Sequence, residues 1–295
     1  MVDYIIGLCI GAHDASTSVI DANGSVLYSV GEERLSRIKH NIKNLEFSSD
    51  CYDIDNTAIY PNDSLKLCFI KFGDKLKNSV IVSNLMAEER KKIRKQFPHH
   101  LCHAAAAAFT SGWEDEFLVI TCDGYGFADR NNMTNGFESI TIHSCKNGEL
   151  TLLQSLKPGF SLGAGYRLIT TKLFGSGFGL EGKTMGLAAY GNPKIGRSYV
   201  ENFFPILENG IGKEESKIYK LAGQIVFYVL NFESLNLKIF KTDIENQHIA
   251  AAAQQILEEQ FIEGILKYWT QTTGLRKVAY GGGVALNISM NKKII

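Results

Sequence analysis

Two stretches of this chain repeat one pattern, and the repetition narrows the folds open to it. Tyr4 to Ile10 is apolar and β-prone, Gly11-Ala12-His13-Asp14-Ala15-Ser16 is a polar turn, and Thr17 to Ile20 is a short strand. Asp21-Ala22-Asn23-Gly24 carries turn chemistry, and Ser25 to Val30 returns as a third strand. The order recurs after residue 115. Glu116 to Cys122 reads as a strand, Asp123-Gly124-Tyr125-Gly126 as a glycine-rich turn and Asn135 to Ile142 as the next strand. Asn147-Gly148 is a hairpin signal, and Glu149 to Leu156 runs back. Two meanders, each with an aspartate in its first turn, predict a duplicated α/β architecture with a central cleft. The first lobe would cover 1–115 and the second 116–295, with an inserted region near 192–245.

A short helix is written between the meanders. Pro98 suits the first helical position, Ala104 to Ala108 favour helix, and Gly112 is a natural stop. His99 and His103 are then one turn apart on one face, a spacing at which two imidazoles can hold one divalent metal. His100 lies off that face, as a surface residue or a support for the ligands.

Further on, Ile249 to Trp269 has helical periodicity, with Ile256, Phe261, Ile265 and Trp269 on the buried side. Lys277 to Tyr280 is a short strand running into Gly281-Gly282-Gly283-Val284, where a helix starts with its positive end free for an anion. The glycines Gly124, Gly126, Gly281, Gly282 and Gly283 permit close approach of N–H groups to phosphate. Asn287 either contacts that phosphate or caps the helix.

The 31 basic and 31 acidic residues cancel, which gives no global electrostatic case for a nucleic-acid or membrane partner. The run Arg90 to Lys95 reads as a solvated helix face. The six cysteines form no CxxC pair, and the start reads directly as a strand. These features point to a reduced, cytoplasmic protein with free thiols. No apolar run reaches the ~18 residues of a membrane helix.

Seven segments, in this order, resemble the nodulation-type O-carbamoyltransferases of the NodU/CmcH family. They are GAHDAS (11–16), GEERLSRIKH (31–40), HHLCHAAAAAF (99–109), CDGYG (122–126), SLGAGY (161–166), EGKTMGLAAYG (181–191) and GGGVALN (281–287). The resemblance implies duplicated lobes of the actin-like ATPase (ribonuclease H-like) superfamily. It implies an enzyme that moves a carbamoyl group from carbamoyladenylate, made from carbamoyl phosphate and ATP, to a hydroxyl of a small-molecule acceptor such as a sugar or antibiotic. It also implies a YrdC-like domain and a downstream stretch with a further aspartate ligand. Neither is found in these 295 residues, so the second lobe reads as incomplete and a separate YrdC-like polypeptide as a partner.

By the same resemblance His99, His103 and Asp123 would bind Fe, Zn or Mn, a choice the mixed N/O donors leave open. His13 would be the general base, with Asp14 orienting it or a metal-bound water. Read from the residues alone, both are also ordinary turn residues. Glu181, Gly182 and Lys183 match the region that holds the nucleoside. Arg34 and Arg37 would order the site edge by ion pairs with Glu32 or Glu33. Two other readings stay open: an actin-like-fold ATPase or small-molecule kinase, and a non-catalytic nucleotide-binding fragment.

Overall fold

The computed structural model describes residues 3–10, 14–39, 61–84, 93–127, 136–175, 179–217 and 243–295. The chain divides into two compact units, Met1–His99 and His100–Ile295.

In the first unit, strands β1 (Tyr4–Cys9), β2 (Ser16–Asp21) and β3 (Val26–Gly31) form the expected meander. Strand β4 (Ser79–Ser83) pairs in parallel with β1, and β5 (Ile93–Gln96) with β4. The sheet order is β3-β2-β1-β4-β5. The basic run therefore ends in a strand and not a helix face, because Ile93 pairs with Ile81 of β4; residues 90–92 lie outside the described residues.

Helix α1 (Glu33–Ser36) follows β3, and helix α2 (Asn62–Phe72) buries Ser64 and Cys68. Tyr28 donates from its hydroxyl to the Ser64 carbonyl at 2.8 Å, tying β3 to α2. Arg34 pairs with Glu33 at 3.6 Å. Glu32 does something else: its buried carboxylate accepts the N–H groups of Asp63 and Ser64, at 2.8 and 2.9 Å, across the first turn of α2. Those donors have no partner within their own helix, and a carboxylate also suits the positive helix end.

The second unit opens with helix α3 (His99–Ser111), whose first residue is the last of the first unit. Strands β6 (Phe117–Phe127), β7 (Phe137–Lys146) and β8 (Glu149–Leu156) repeat the meander, and β11 (Val278–Gly281) pairs in parallel with β6. The order β11-β6-β7-β8 matches β4-β1-β2-β3, so the duplication read from the sequence is present in the sheets.

Alternation along β6 explains both faces of this sheet. Leu118, Ile120 and Cys122 enter the larger core, with Ile140 and Ile142 of β7. Phe117 and Val119 point the other way and pack with Ala104, Cys145 and Ala279. This packing is why α3 belongs with the second unit and why the division falls after His99 and not after residue 115.

Helices α4 (Leu162–Phe174), α5 (Glu181–Ala188) and α6 (Pro193–Val200) come next, then a small hairpin of β9 (Ile206–Glu208) and β10 (Ile211–Glu214). Of the region 192–245, residues 192–217 and 243–245 are described, and they include α6 and this hairpin. Helix α7 (Asn246–Phe261) passes through a π-turn at Ile262–Leu266 into α8 (Lys267–Thr273). Ile256, Phe261 and Ile265 are buried and Trp269 packs on the same core.

Two local expectations change. The turn at Asp123–Gly126 is a bulge inside β6: Cys122 pairs with Ile140 and Gly126 with Glu138, so β6 spends two residues more than its partner. The helix expected from Val284 is a 3₁₀ turn at Gly283–Leu286, and helix α9 begins only at Ile288 and ends at Ile294.

Alanine in a helix interior is normally worth about 0.5–1 kcal/mol over glycine. At Gly165 in α4 the added methyl would lie 2.6 Å from the Phe203 carbonyl oxygen, a backbone atom. We therefore expect Gly165→Ala to lower stability by about 1–3 kcal/mol, read as a lower urea midpoint. An unchanged or raised midpoint would contradict this packing.

Candidate metal centre

The local sequence aims two imidazoles and a carboxylate at one point. Helix α3 starts at His99 directly after Pro98, so His103 follows one turn later. The bulge takes Asp123 out of the β6 ladder. One ligand atom from each of His99, His103 and Asp123 lies within 4.8 Å of the others, and all three residues are partly exposed. His103 Nε2 and Asp123 Oδ2 are 3.0 Å apart. Two ligands each about 2.1 Å from an ion, at angles near 90–110°, are separated by about 3.0–3.4 Å. The residues therefore fit a divalent ion with nitrogen and oxygen donors.

Backbone contacts hold the carboxylate. Gly124 N donates to Asp123 Oδ1 at 2.6 Å. The Ser161 hydroxyl lies 3.1 Å from the Asp123 carbonyl and 2.5 Å from that of Gly124. Ser161 is also the N-cap of α4, accepting from Ala164 N at 3.0 Å. Three glycines close the surroundings. A methyl on Gly163 would meet the Asp123 backbone at 2.7 Å, one on Gly283 would meet Asp123 Oδ1 at 2.8 Å, and one on Gly282 would meet the Cys122 carbonyl at 2.4 Å. Gly282 also has φ +93°, which side chains rarely adopt.

Cys122 faces away from this cluster, into the core. Burial, and then the charge of Asp123, push its thiol far up, so it stays protonated. Tyr280 beside it is likewise pushed up, mainly by burial.

The structure thus gathers His99, His103, Asp123, Gly124, Gly282 and Gly283. Gly281 packs against His103, 3.1 Å from its carbonyl if a methyl were present. Gly126 is instead a buried strand residue opposite Glu138, because the β7 ladder continues to Phe137. Asn287 is the N-cap of α9, accepting from Met290 N at 3.0 Å, and exchanges two further hydrogen bonds with Gln254. Of its two readings, the cap is the one the contacts describe.

Glu181 begins α5 and pairs with Arg167 at 3.2 Å. Gly182 and Lys183 are exposed, and Lys183 Nζ lies 5.9 Å above the Phe174 ring. In the first unit Asp14 is exposed with φ +54°, and His13 lies outside the described residues. Ser161 and Gly163 were missed as site residues, although a serine three residues before Ala164 at the head of an apolar run is an N-cap signal.

Residues 57–295 match the family model described as the carbamoyltransferase N-terminus. The chain belongs to this family. The nodulation protein NolNO of Sinorhizobium fredii is 29% identical over 96% of this chain and 42% of its own length. NolO of Bradyrhizobium diazoefficiens is 28% identical over 67% of this chain and 33% of its own. The chain thus spans less than half the length of these relatives.

Among solved structures, the activator of 2-hydroxyisocaproyl-CoA dehydratase from Clostridium difficile, with bound ADPNP, is similar at a TM-score of 0.49 and 14% identity, covering 99% of this chain and 85% of that one. Full-length HypF, in a phosphate- and nucleotide-bound form, is similar at 0.47 and 12%, covering 98% and 42%. Among the described residues no helix is long and apolar enough to cross a membrane.

In this carbamoyltransferase-family chain, His143 of β7 sits on the α3 side of the sheet, only 5% exposed. Burial lowers its pKa from the ordinary 6.5. The unfolded chain therefore takes up a proton at this ring before the folded chain does. Stability should fall as pH drops below about 6.5, by up to about 1.4 kcal/mol per pH unit, until the folded ring itself titrates. His143→Gln should flatten that fall in urea titrations between pH 7 and 5. An unchanged slope would contradict the assignment.

Proposed function

We propose that this chain is the acyl-transfer part of an O-carbamoyltransferase, acting on carbamoyladenylate and a hydroxyl-bearing small molecule. Membership of the carbamoyltransferase N-terminus family supports the reaction class. The single observation that carries the site is the convergence of His99, His103 and Asp123.

In this reading neutral His99 and His103 and ionised Asp123 hold a divalent Fe, Zn or Mn ion. Such an ion supplies Lewis-acid stabilisation to negative charge developing on the carbamoyl or phosphate oxygens. Gly124 N–H orients the Asp123 carboxylate, and the close packing of Gly163 and Gly283 keeps it in place. The N–H groups of the glycine turn at Gly281–Gly283 are our candidates for phosphate contacts. Glu181 and Lys183 are our candidates for ribose and phosphate contacts, and His13 with Asp14 for the general base and its orienting partner.

In the transfer the acceptor oxygen bonds to the carbamoyl carbon. The bond from that carbon to the adenylate phosphate oxygen breaks, AMP leaves, and the hydroxyl proton passes to the base. A YrdC-like polypeptide would supply the carbamoyladenylate, consuming carbamoyl phosphate, water and ATP and releasing phosphate and pyrophosphate.

Purified protein should carry about one divalent ion per chain and bind a hydrolysis-resistant carbamoyladenylate analogue in calorimetry. His99→Ala, His103→Ala and Asp123→Ala should each lose the ion, and should weaken the analogue by at least about 10-fold. If both histidine variants retain wild-type metal content, the site is misassigned. Phosphorylation of a sugar by the chain without carbamoyl phosphate would point to a kinase instead.

A further inference from the structure

His100 is fully buried at the start of α3, between two partly exposed histidines. Its Nε2 lies 3.0 Å from the Glu138 carbonyl oxygen, and its Nδ1 lies 2.8 Å from Thr121 Oγ1. A carbonyl can only accept, so Nε2 carries a proton and donates. In the neutral ring Nδ1 then accepts the Thr121 hydroxyl proton. With that proton committed, Thr121 Oγ1 accepts from Thr141 Oγ1 at 2.7 Å. The result is a one-way chain of hydrogen bonds from β7, through β6, to the helix.

Where this chain attaches is what matters. Thr121 stands two residues before Asp123 on β6, and His100 stands between His99 and His103 on α3. One short hydrogen bond therefore joins the two elements that carry all three candidate ligands. The apolar packing nearby is non-directional. Ala104 and Ala107 present single methyl groups to Phe117, Val119 and Ala279. The hydrogen bonds of His100 add the angular dependence that such contacts lack. A ligand constellation needs its groups held to about 0.5 Å and 10–20°.

We propose that His100 is a positioning residue: through Thr121 and the Glu138 carbonyl it sets the rotation of α3 against β6, and so the approach of His99 and His103 to Asp123. This rests on the metal reading above.

Cobalt(II) is the probe, because its visible absorption reports ligand geometry directly and does not require turnover. We expect His100→Leu in the 295-residue chain to keep the far-ultraviolet dichroism, to bind cobalt at least about 10-fold more weakly and to change the shape of the visible band. His100→Gln, whose amide can still donate to Glu138, should recover most of the affinity. Thr121→Val removes only a hydroxyl and should move the band in the same direction, which keeps the test valid if His100→Leu does not fold.

Ile169→Val trims the other core of the unit and serves as the stability control, with no effect on the band. Wild-type affinity and band shape in both His100→Leu and Thr121→Val, or equal loss in Ile169→Val, would overturn the positioning role while leaving the metal centre standing. A wild-type chain that binds no cobalt would overturn the centre itself.

Discussion

The seat of Asp123 is the constraint on which the candidate centre depends. Its side chain meets His103 and its own neighbour's N–H, and its backbone meets the Ser161 hydroxyl. Glycines stand where any side chain would press on it: Gly163 on the main chain and Gly283 on the carboxylate. The bulge in β6 makes this possible. A regular strand would commit the backbone of residues 123–125 to the ladder with β7. The two extra residues free it to meet α4 and the β11 turn.

The sheet of the second unit serves two purposes on its two faces. One face is mainly apolar and carries the large core under α4 and α7. The other is divided: Phe117 and Val119 take the alanine face of α3, while Thr121, Thr141 and His143 form a buried polar strip beside them. Buried hydroxyls and imidazoles cost free energy unless they are paired, and here they pair largely with one another and with His100. That pairing distinguishes the helix that carries His99 and His103 from one that merely covers a sheet.

Much of this was legible because local chemistry decides it. Pro98 and Gly112 delimit α3, and Gly112 does adopt positive φ. Asn147-Gly148 makes its hairpin. The His99–His103 spacing needs only helical geometry. What escaped depends on partners distant in sequence. Nothing in Asp123-Gly124-Tyr125-Gly126 says that β7 extends far enough to convert a turn into a bulge. Asn287 has one side chain suited equally to phosphate and to a helix end, and its contacts with Gln254 and Met290 come from partners the local sequence does not name. For His100 the sequence left two readings, a surface residue or a support for the ligands. The signal was elsewhere, in Thr121 and Thr141 set among buried apolar strand residues, where a hydroxyl requires a companion.

Cys122 adjoins the carboxylate in sequence, yet strand alternation turns its sulfur to the far side of the sheet. Desolvation and the neighbouring negative charge together keep that sulfur protonated. A thiolate so near would draw soft ions and invite oxidation. Tucked away and neutral, it is withheld from electrophiles that modify exposed thiols.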